Sequence, residues 1–286
     1  MGLLRLAPGR SFAAAGFLMK FHFLSGLPRS GSTLLAALLR QNPRFQAGMS
    51  GPVAGLVGSL LGEMSGRNEF SVFIDDAARR RVLKAAIEGY YADAAADVVF
   101  DTSRAWCARM GVLADLYPDS RVIACVRHMP WIVDSVERLI QTNVFQPSSI
   151  FNYTPGGTVY SRADGIANGE GMVGYAYNAL KEAFFGPHAS RLLLVQYETL
   201  TTAPAQALAA IYEFIAEAPY AHDFAHVEYD AQAFDEKAGT PGLHVVRPQV
   251  EARARETVLP PDVFRRFEND AFWRDPALNR HGVRII

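Results

Sequence analysis

Cysteine is nearly absent: Cys107 and Cys125 are the only two in 286 residues. No Cys-x-x-Cys spacing exists, so neither a disulfide framework nor a thiolate metal site is expected, and a reducing compartment fits best. Cys125 sits in the apolar run Val122-Ile123-Ala124-Cys125-Val126 and reads as a small core residue. No run of about 18 apolar residues occurs, which argues against a membrane span. Net charge is also missing. Lys+Arg total 28 against Asp+Glu 29, a balance that does not suggest a nucleic-acid protein while leaving room for a local basic pocket. Acids are absent from the first 18 residues, which carry Arg5 and Arg10 and a short apolar stretch from Phe12 to Leu18. That stretch admits a signal or transit reading. The strand pattern that follows Met19 at once favours a poorly ordered extension (1–18) on a single domain (19–286). Half of the residues are hydrophobic, enough to bury a full core. A soluble, cytoplasmic protein is expected.

Along the chain, short apolar runs alternate with helical periodicity. Phe21 to Leu24 reads as a buried strand, and the leucines at 34, 35, 38 and 39 place a helix from Thr33 to Arg40, ended by Asn42-Pro43. Further strands are expected at 97–101, 121–126 and 191–195. Helices are expected after Pro52, at 75–96, 104–117, from Pro130 to about 141, and at 165–185, 204–216 and 261–269. Pro130 suits a first helical turn. Residues 142–164 read as a long loop or lid. The alternation predicts an α/β fold with a central, mainly parallel sheet covered on both faces. Ligands in such sheets bind beyond the carboxyl ends of the strands. The segments after Leu24, Asp101, Val126 and Gln196 should therefore share one rim.

The first of these segments is Gly26-Leu27-Pro28-Arg29-Ser30-Gly31-Ser32-Thr33. Its glycines have the spacing of a Walker A loop, whose N–H groups cradle phosphate at a helix N-terminus. The position that should be Lys is Ser32, and the cation sits inside the loop as Arg29. A P-loop kinase lacking that Lys loses the charge that neutralises the transferred phosphate. Asp101 could hold a metal or merely end its strand.

Ser25 to Leu35 resembles the 5′-phosphosulfate loop of sulfotransferases that use 3′-phosphoadenosine 5′-phosphosulfate (PAPS), and its Pro-Arg-Ser-Gly form is closest to the tyrosylprotein and carbohydrate branches. Arg127, at the end of the 122–126 strand, and Ser135, eight residues on, are similar to the family's 3′-phosphate pair. An Arg fork with a hydroxyl suits a phosphate dianion. Leu194 to Leu200, with Tyr197, resembles a segment near the nucleotide. Gly239-Thr240-Pro241-Gly242, with Arg247, Arg253 and Arg255, resembles the loop that closes over it.

The resemblance implies a P-loop NTPase-like three-layer sandwich. It implies a metal-independent, in-line transfer of sulfuryl from PAPS to a hydroxyl or amine, with adenosine 3′,5′-bisphosphate as product. Arg29, Ser30, Gly31, Ser32, Thr33, Arg127, Ser135, Tyr197, Arg247 and Arg255 would bind the nucleotide. Arg29 would also act on the bridging and leaving oxygens, and Arg104 on the sulfonate. The family's general base has no match here. Asp101 is the base expected by reach, with Glu63 behind it and His22, His128 and His244 as further candidates. The acceptor, whether small molecule, carbohydrate or peptide, is framed by 48–66 and by Phe145, Phe151, Tyr153 and Tyr160. A homodimer is allowed. A P-loop kinase and a non-catalytic nucleotide-binding module stay open as alternatives.

Overall fold

The computed structural model describes residues 19–66, 68–145 and 157–286. Its centre is a six-stranded sheet of β1 (Lys20–Gly26), β2 (Phe45–Ala47), β3 (Val98–Thr102), β4 (Val122–Val126), β5 (Leu192–Gln196) and β6 (Arg284–Ile285). The spatial order is β2-β3-β1-β4-β5-β6, and every pairing is parallel. The chain builds first on one side of β1 and then on the other. The carboxyl end of β1 thus lies at the switch point, where a crevice opens.

Strand alternation sorts the core into two layers. Phe21, Phe23, Val99, Val122, Ala124, Leu192 and Leu194 face one layer; Leu24, Val98, Phe100, Ile123, Cys125, Leu193 and Val195 face the other. The second layer is closed by α1 (Ser32–Leu39) and, later in the chain, by α8 (Tyr197–Thr202) and α9 (Pro204–Phe214) through Leu35, Leu38, Leu200, Leu208 and Ile211. The first is closed by α2 (Val53–Glu63), α3 (Asp76–Tyr90), α4 (Met110–Leu116), α5 (Met129–Thr142), α6 (Val159–Ala167), α7 (Met172–Phe185) and α11 (Pro261–Arg266). This is the three-layer α/β sandwich expected. Each buried Leu, Ile or Phe side chain contributes about 1.5–3 kcal/mol. Cys107 and Cys125 are free and lie in opposite layers. Burial pushes their thiols up to about 11 and about 12.

Some expectations change. β2 and β6, three and two residues long, have too little pattern to be read beforehand. The helix expected over 104–117 starts as a 3-10 turn, Arg104–Arg109, before α4. The expected loop at 142–164 gives up its end to α6, whose cap is Thr158 accepting from Ser161 N. A further short helix, α10 (Gln232–Lys237), precedes the 239–242 turn. Residues 1–18, Phe151 and Tyr153 lie outside the described residues. Among the described residues no helix is long and apolar enough to cross a membrane, and no group of three or more His, Cys, Asp or Glu could hold a metal ion.

Candidate active site

β1 leaves the sheet at Gly26, whose φ is +99°. A Cβ there would sit 2.2 Å from the Cys125 carbonyl oxygen of β4, so glycine is required. Leu27 N donates to that same oxygen at 2.8 Å. Arg29 adopts φ +58° without being glycine, a left-handed backbone that costs about 1–2 kcal/mol. Gly31, at φ +93°, is the N-cap of α1, and no side chain caps that helix. Its first-turn N–H groups thus have no side-chain cap from Gly31, at the positive end of the helix dipole.

Ser30 is buried and donates its hydroxyl to carbonyl oxygens, those of Leu27 and of Cys125 (2.9 Å). The side chain expected at the phosphate instead holds the turn together. Ser32 and Thr33 stand at the cavity wall.

That cavity has a volume of about 340 Å³ and runs along the carboxyl rim of the sheet. Of the residues expected at the site, Arg29, Gly31, Ser32, Thr33, Arg104, Arg127, Ser135, Tyr197, Arg247 and Arg255 line it, and Ser30 does not. Six arginines, the sixth being Arg253, share it with one carboxylate, Glu251. In a chain of net charge −1 this is a focused positive field.

The arginines are held in fixed directions. Arg29 Nε donates to Ser135 Oγ at 3.0 Å, and its Nη1 donates to the Leu243 carbonyl. Arg127 Nη1 donates to the Arg29 carbonyl at 3.2 Å, and its guanidinium lies over the Tyr197 ring, 4.1 Å from the centroid. The same ring backs the loop: a Cβ on Gly31 would come within 3.0 Å of it. Arg255 pairs with Asp134 at 2.5 Å and rests over Trp131. Asp134 is fully buried and also accepts from Thr257 Oγ1 and Val258 N, which ties the 255–258 segment to α5. Burial, then Arg127 and Arg255, lower the Arg29 guanidinium to about 10. Burial is also the first cause lowering Arg127, Arg104 and Arg255. Cations destabilised this way gain most from an anionic ligand. Arg104 forms no salt bridge with a described carboxylate. It also borders a second hollow that shares Ser103, Arg104 and Met172 with the cavity and adds Ala105, Glu170, Gly171 and Tyr175.

Asp101 does not fill the catalytic role expected of it. It is fully buried and accepts from Tyr91 Oη and Trp106 Nε1, each at 2.6 Å. Both oxygens are engaged and the residue is not part of the cavity wall. Burial holds its carboxyl above the usual range. Side-chain direction explains the change: Asp101 alternates onto the packed layer of β3, between Tyr91 and Trp106. Glu63 is exposed at the end of α2 and accepts from Asn68. Helix α2 buries Val53, Ala54 and Val57 in the core, and of the 48–66 segment only Ser50 lines the cavity. Phe145 and Tyr160 are exposed and do not line it. His22 is buried in β1 with its imidazole pushed down to about 4. His128 shares a hydrogen bond with the Glu268 carbonyl, away from the wall.

His244 is the one histidine on the wall among the described residues. Its partner, Asp235 of α10, is 2 % exposed and escaped the sequence reading. The available signal was slight: an acid nine residues before a histidine that follows the Gly-Thr-Pro-Gly turn.

The chain matches the family model described as "Sulfotransferase family" over residues 23–221. It resembles the solved sulfotransferase domain from the curacin biosynthetic pathway at 18 % identity, covering 71 % of this chain and 75 % of that one, with a TM-score of 0.45. A sulfotransferase from Alicyclobacillus acidocaldarius aligns at 14 % identity over 77 % and 92 % of the two chains (TM-score 0.46). The sulfotransferase domain from the Synechococcus PCC 7002 olefin synthase aligns at 17 % over 91 % and 85 % (TM-score 0.44). The comparison with curated protein sequences finds no match.

Proposed function

The chain belongs to the sulfotransferase family, and from that premise we propose that it moves a sulfuryl group from PAPS to a hydroxyl or amine acceptor. The observation that carries this reading is the contact of the two anion motifs. Arg29 of the glycine loop reaches Ser135 at 3.0 Å, and Arg127 reaches back to the Arg29 carbonyl at 3.2 Å. These contacts support a reading with two phosphate positions in one cavity. The first-turn N–H groups of α1, with the Ser32 and Thr33 hydroxyls, suit a 5′-phosphate. Arg127 and Ser135 suit a 3′-phosphate, with Arg247 and Arg255 closing the opposite wall.

The chemistry asks for charge placement. The acceptor oxygen or nitrogen attacks sulfur, the sulfur–oxygen bond to the 5′-phosphate breaks, and its electron pair stays on the phosphate. Negative charge grows where the α1 N-terminus points and Arg29 stands nearby, so preorganised donors stabilise it. Arg104 is assigned to the sulfonate. It lines the cavity and also borders the second hollow.

Calorimetric titration tests the donor assignment. Adenosine 3′,5′-bisphosphate is expected to bind without Mg²⁺ and more tightly than ATP with Mg²⁺. A preference for ATP with Mg²⁺ would overturn it.

A further inference from the structure

Attack by a hydroxyl leaves a proton that must be taken up, and neither carboxylate expected for the task reaches the cavity. Besides arginines, the cavity wall carries three titratable side chains: Tyr197, Glu251 and His244. The Tyr197 ring is covered by Arg127, and Glu251 is paired with Arg253. His244 is arranged differently. Its Nδ1 lies 2.6 Å from Asp235 Oδ1, and its backbone N–H donates to Asp235 Oδ2 at 2.8 Å. A carboxylate only accepts, so Nδ1 carries the proton in the neutral ring and Nε2 keeps its lone pair. The Phe234 ring stands edge-on at 5.6 Å and fixes the imidazole from the side. The preceding carbonyl, that of Leu243, accepts from Arg29, which places the histidine beside the cation of the glycine loop.

We propose that His244 is the general base and Asp235 its positioning residue; this rests on the sulfuryl-transfer reading above. The acceptor O–H gives its proton to His244 Nε2 as the oxygen–sulfur bond forms. The sulfur–oxygen bond to the nucleotide breaks with its electron pair on the leaving phosphate. The imidazolium then releases the proton to solvent, and no oxidant, reductant or metal enters the balance. The arrangement is a base within reach of its orienting carboxylate, the pair that also serves nucleophile activation elsewhere. The charged groups sharing the wall with the imidazole are Arg29, Arg104, Arg127, Arg247, Arg253, Arg255 and Glu251, with Asp235 behind it.

The test joins a spectroscopic and a kinetic readout. In ¹⁵N-histidine NMR of the protein saturated with adenosine 3′,5′-bisphosphate, the neutral His244 ring should carry its proton on Nδ1 and leave Nε2 free. A ring found as the Nε2–H tautomer or as a cation bound to the nucleotide overturns the proposal. PAPS turnover is followed with 2-naphthol and with water as acceptors. His244→Asn keeps a side-chain amide for Asp235, and should lower kcat by about 10²–10⁴-fold. It should also erase the acid limb of the kcat–pH profile while bisphosphate affinity stays within about threefold. Asp235→Asn should lower kcat by at least tenfold and shift that limb. Turnover within threefold of the parent, or a loss of bisphosphate affinity as large as the loss of rate, overturns the assignment. So does a parent protein that binds the bisphosphate yet turns PAPS over with neither acceptor. A parent protein that fails to bind the bisphosphate instead refutes the donor reading, which keeps the two failures apart.

Discussion

Asp101→Ala should weaken the fold and spare the nucleotide site. The carboxylate accepts from Tyr91 Oη and Trp106 Nε1, each at 2.6 Å, in a fully buried setting. Alanine leaves both donors unpaired. A buried donor without a partner costs about 1–3 kcal/mol, so the pair sums to about 2–6 kcal/mol. Removing a carboxyl that burial holds above its usual range returns part of this, and a net loss of about 2–4 kcal/mol is expected. Asp101→Asn retains one acceptor, and Tyr91 can turn its hydroxyl to accept from the amide, so that variant should lose about half as much. The pH trend has a definite sign. A carboxyl with a raised folded pKa stabilises most below its unfolded value, and that contribution fades as pH rises through the folded value. The stability gap between parent and Asp101→Asn should therefore narrow from acid toward neutral pH. Urea unfolding followed by tryptophan fluorescence reads the gap, and bisphosphate calorimetry on the folded variant reads the site. An Asp101→Ala protein as stable as its parent but with turnover abolished would refute the reasoning and return Asp101 to the chemistry.

Two further outcomes follow from the same structure. His22 is buried, its imidazole is pushed down to about 4 mainly by burial, and its Nδ1 accepts from Arg121 N. Parent stability should fall by about 3 kcal/mol as pH drops from 6.5 to 4, because the unfolded chain takes up the proton first; His22→Asn should remove that slope in urea titrations at stepped pH, and a slope unchanged would count against it. Gly31→Ala forces a left-handed alanine and brings its Cβ to 3.0 Å from the Tyr197 ring; about 1–2 kcal/mol of stability and at least tenfold in bisphosphate affinity should be lost, read by thermal melts and calorimetry.

What could be read in the sequence was whatever is local. The glycine loop announces itself because Gly26 and Gly31 must take positive φ within six residues, between an apolar strand and a leucine-patterned helix. Arg127 and Ser135 lie one strand end and two helical turns apart, so their shared rim follows from chain order. Long-range packing stayed hidden. Nothing near Asp101 in sequence says that Tyr91 and Trp106 would seal it, since Asp101 looks the same on either face of its strand. Ser30 reads as a phosphate ligand until the Cys125 carbonyl arrives from β4. β2 and β6, three and two residues long, carry too few alternations to stand out. The Asp235–His244 pair joins a six-residue helix to the far side of a Gly-Thr-Pro-Gly turn, and only the folded turn closes that distance.

The central claim is that Arg127 and Ser135 read a 3′-phosphate inside the cavity headed by the glycine loop. Calorimetry comparing adenosine 3′,5′-bisphosphate with adenosine 5′-monophosphate, in the parent and in Arg127→Ala, measures this directly. A charge-assisted contact of about 1.5–3 kcal/mol predicts a preference for the bisphosphate of roughly 10- to 150-fold in the parent. In Arg127→Ala that preference should collapse to a few-fold while monophosphate affinity changes little. Equal affinity for the two nucleotides in the parent, or a preference that survives Arg127→Ala intact, would contradict it.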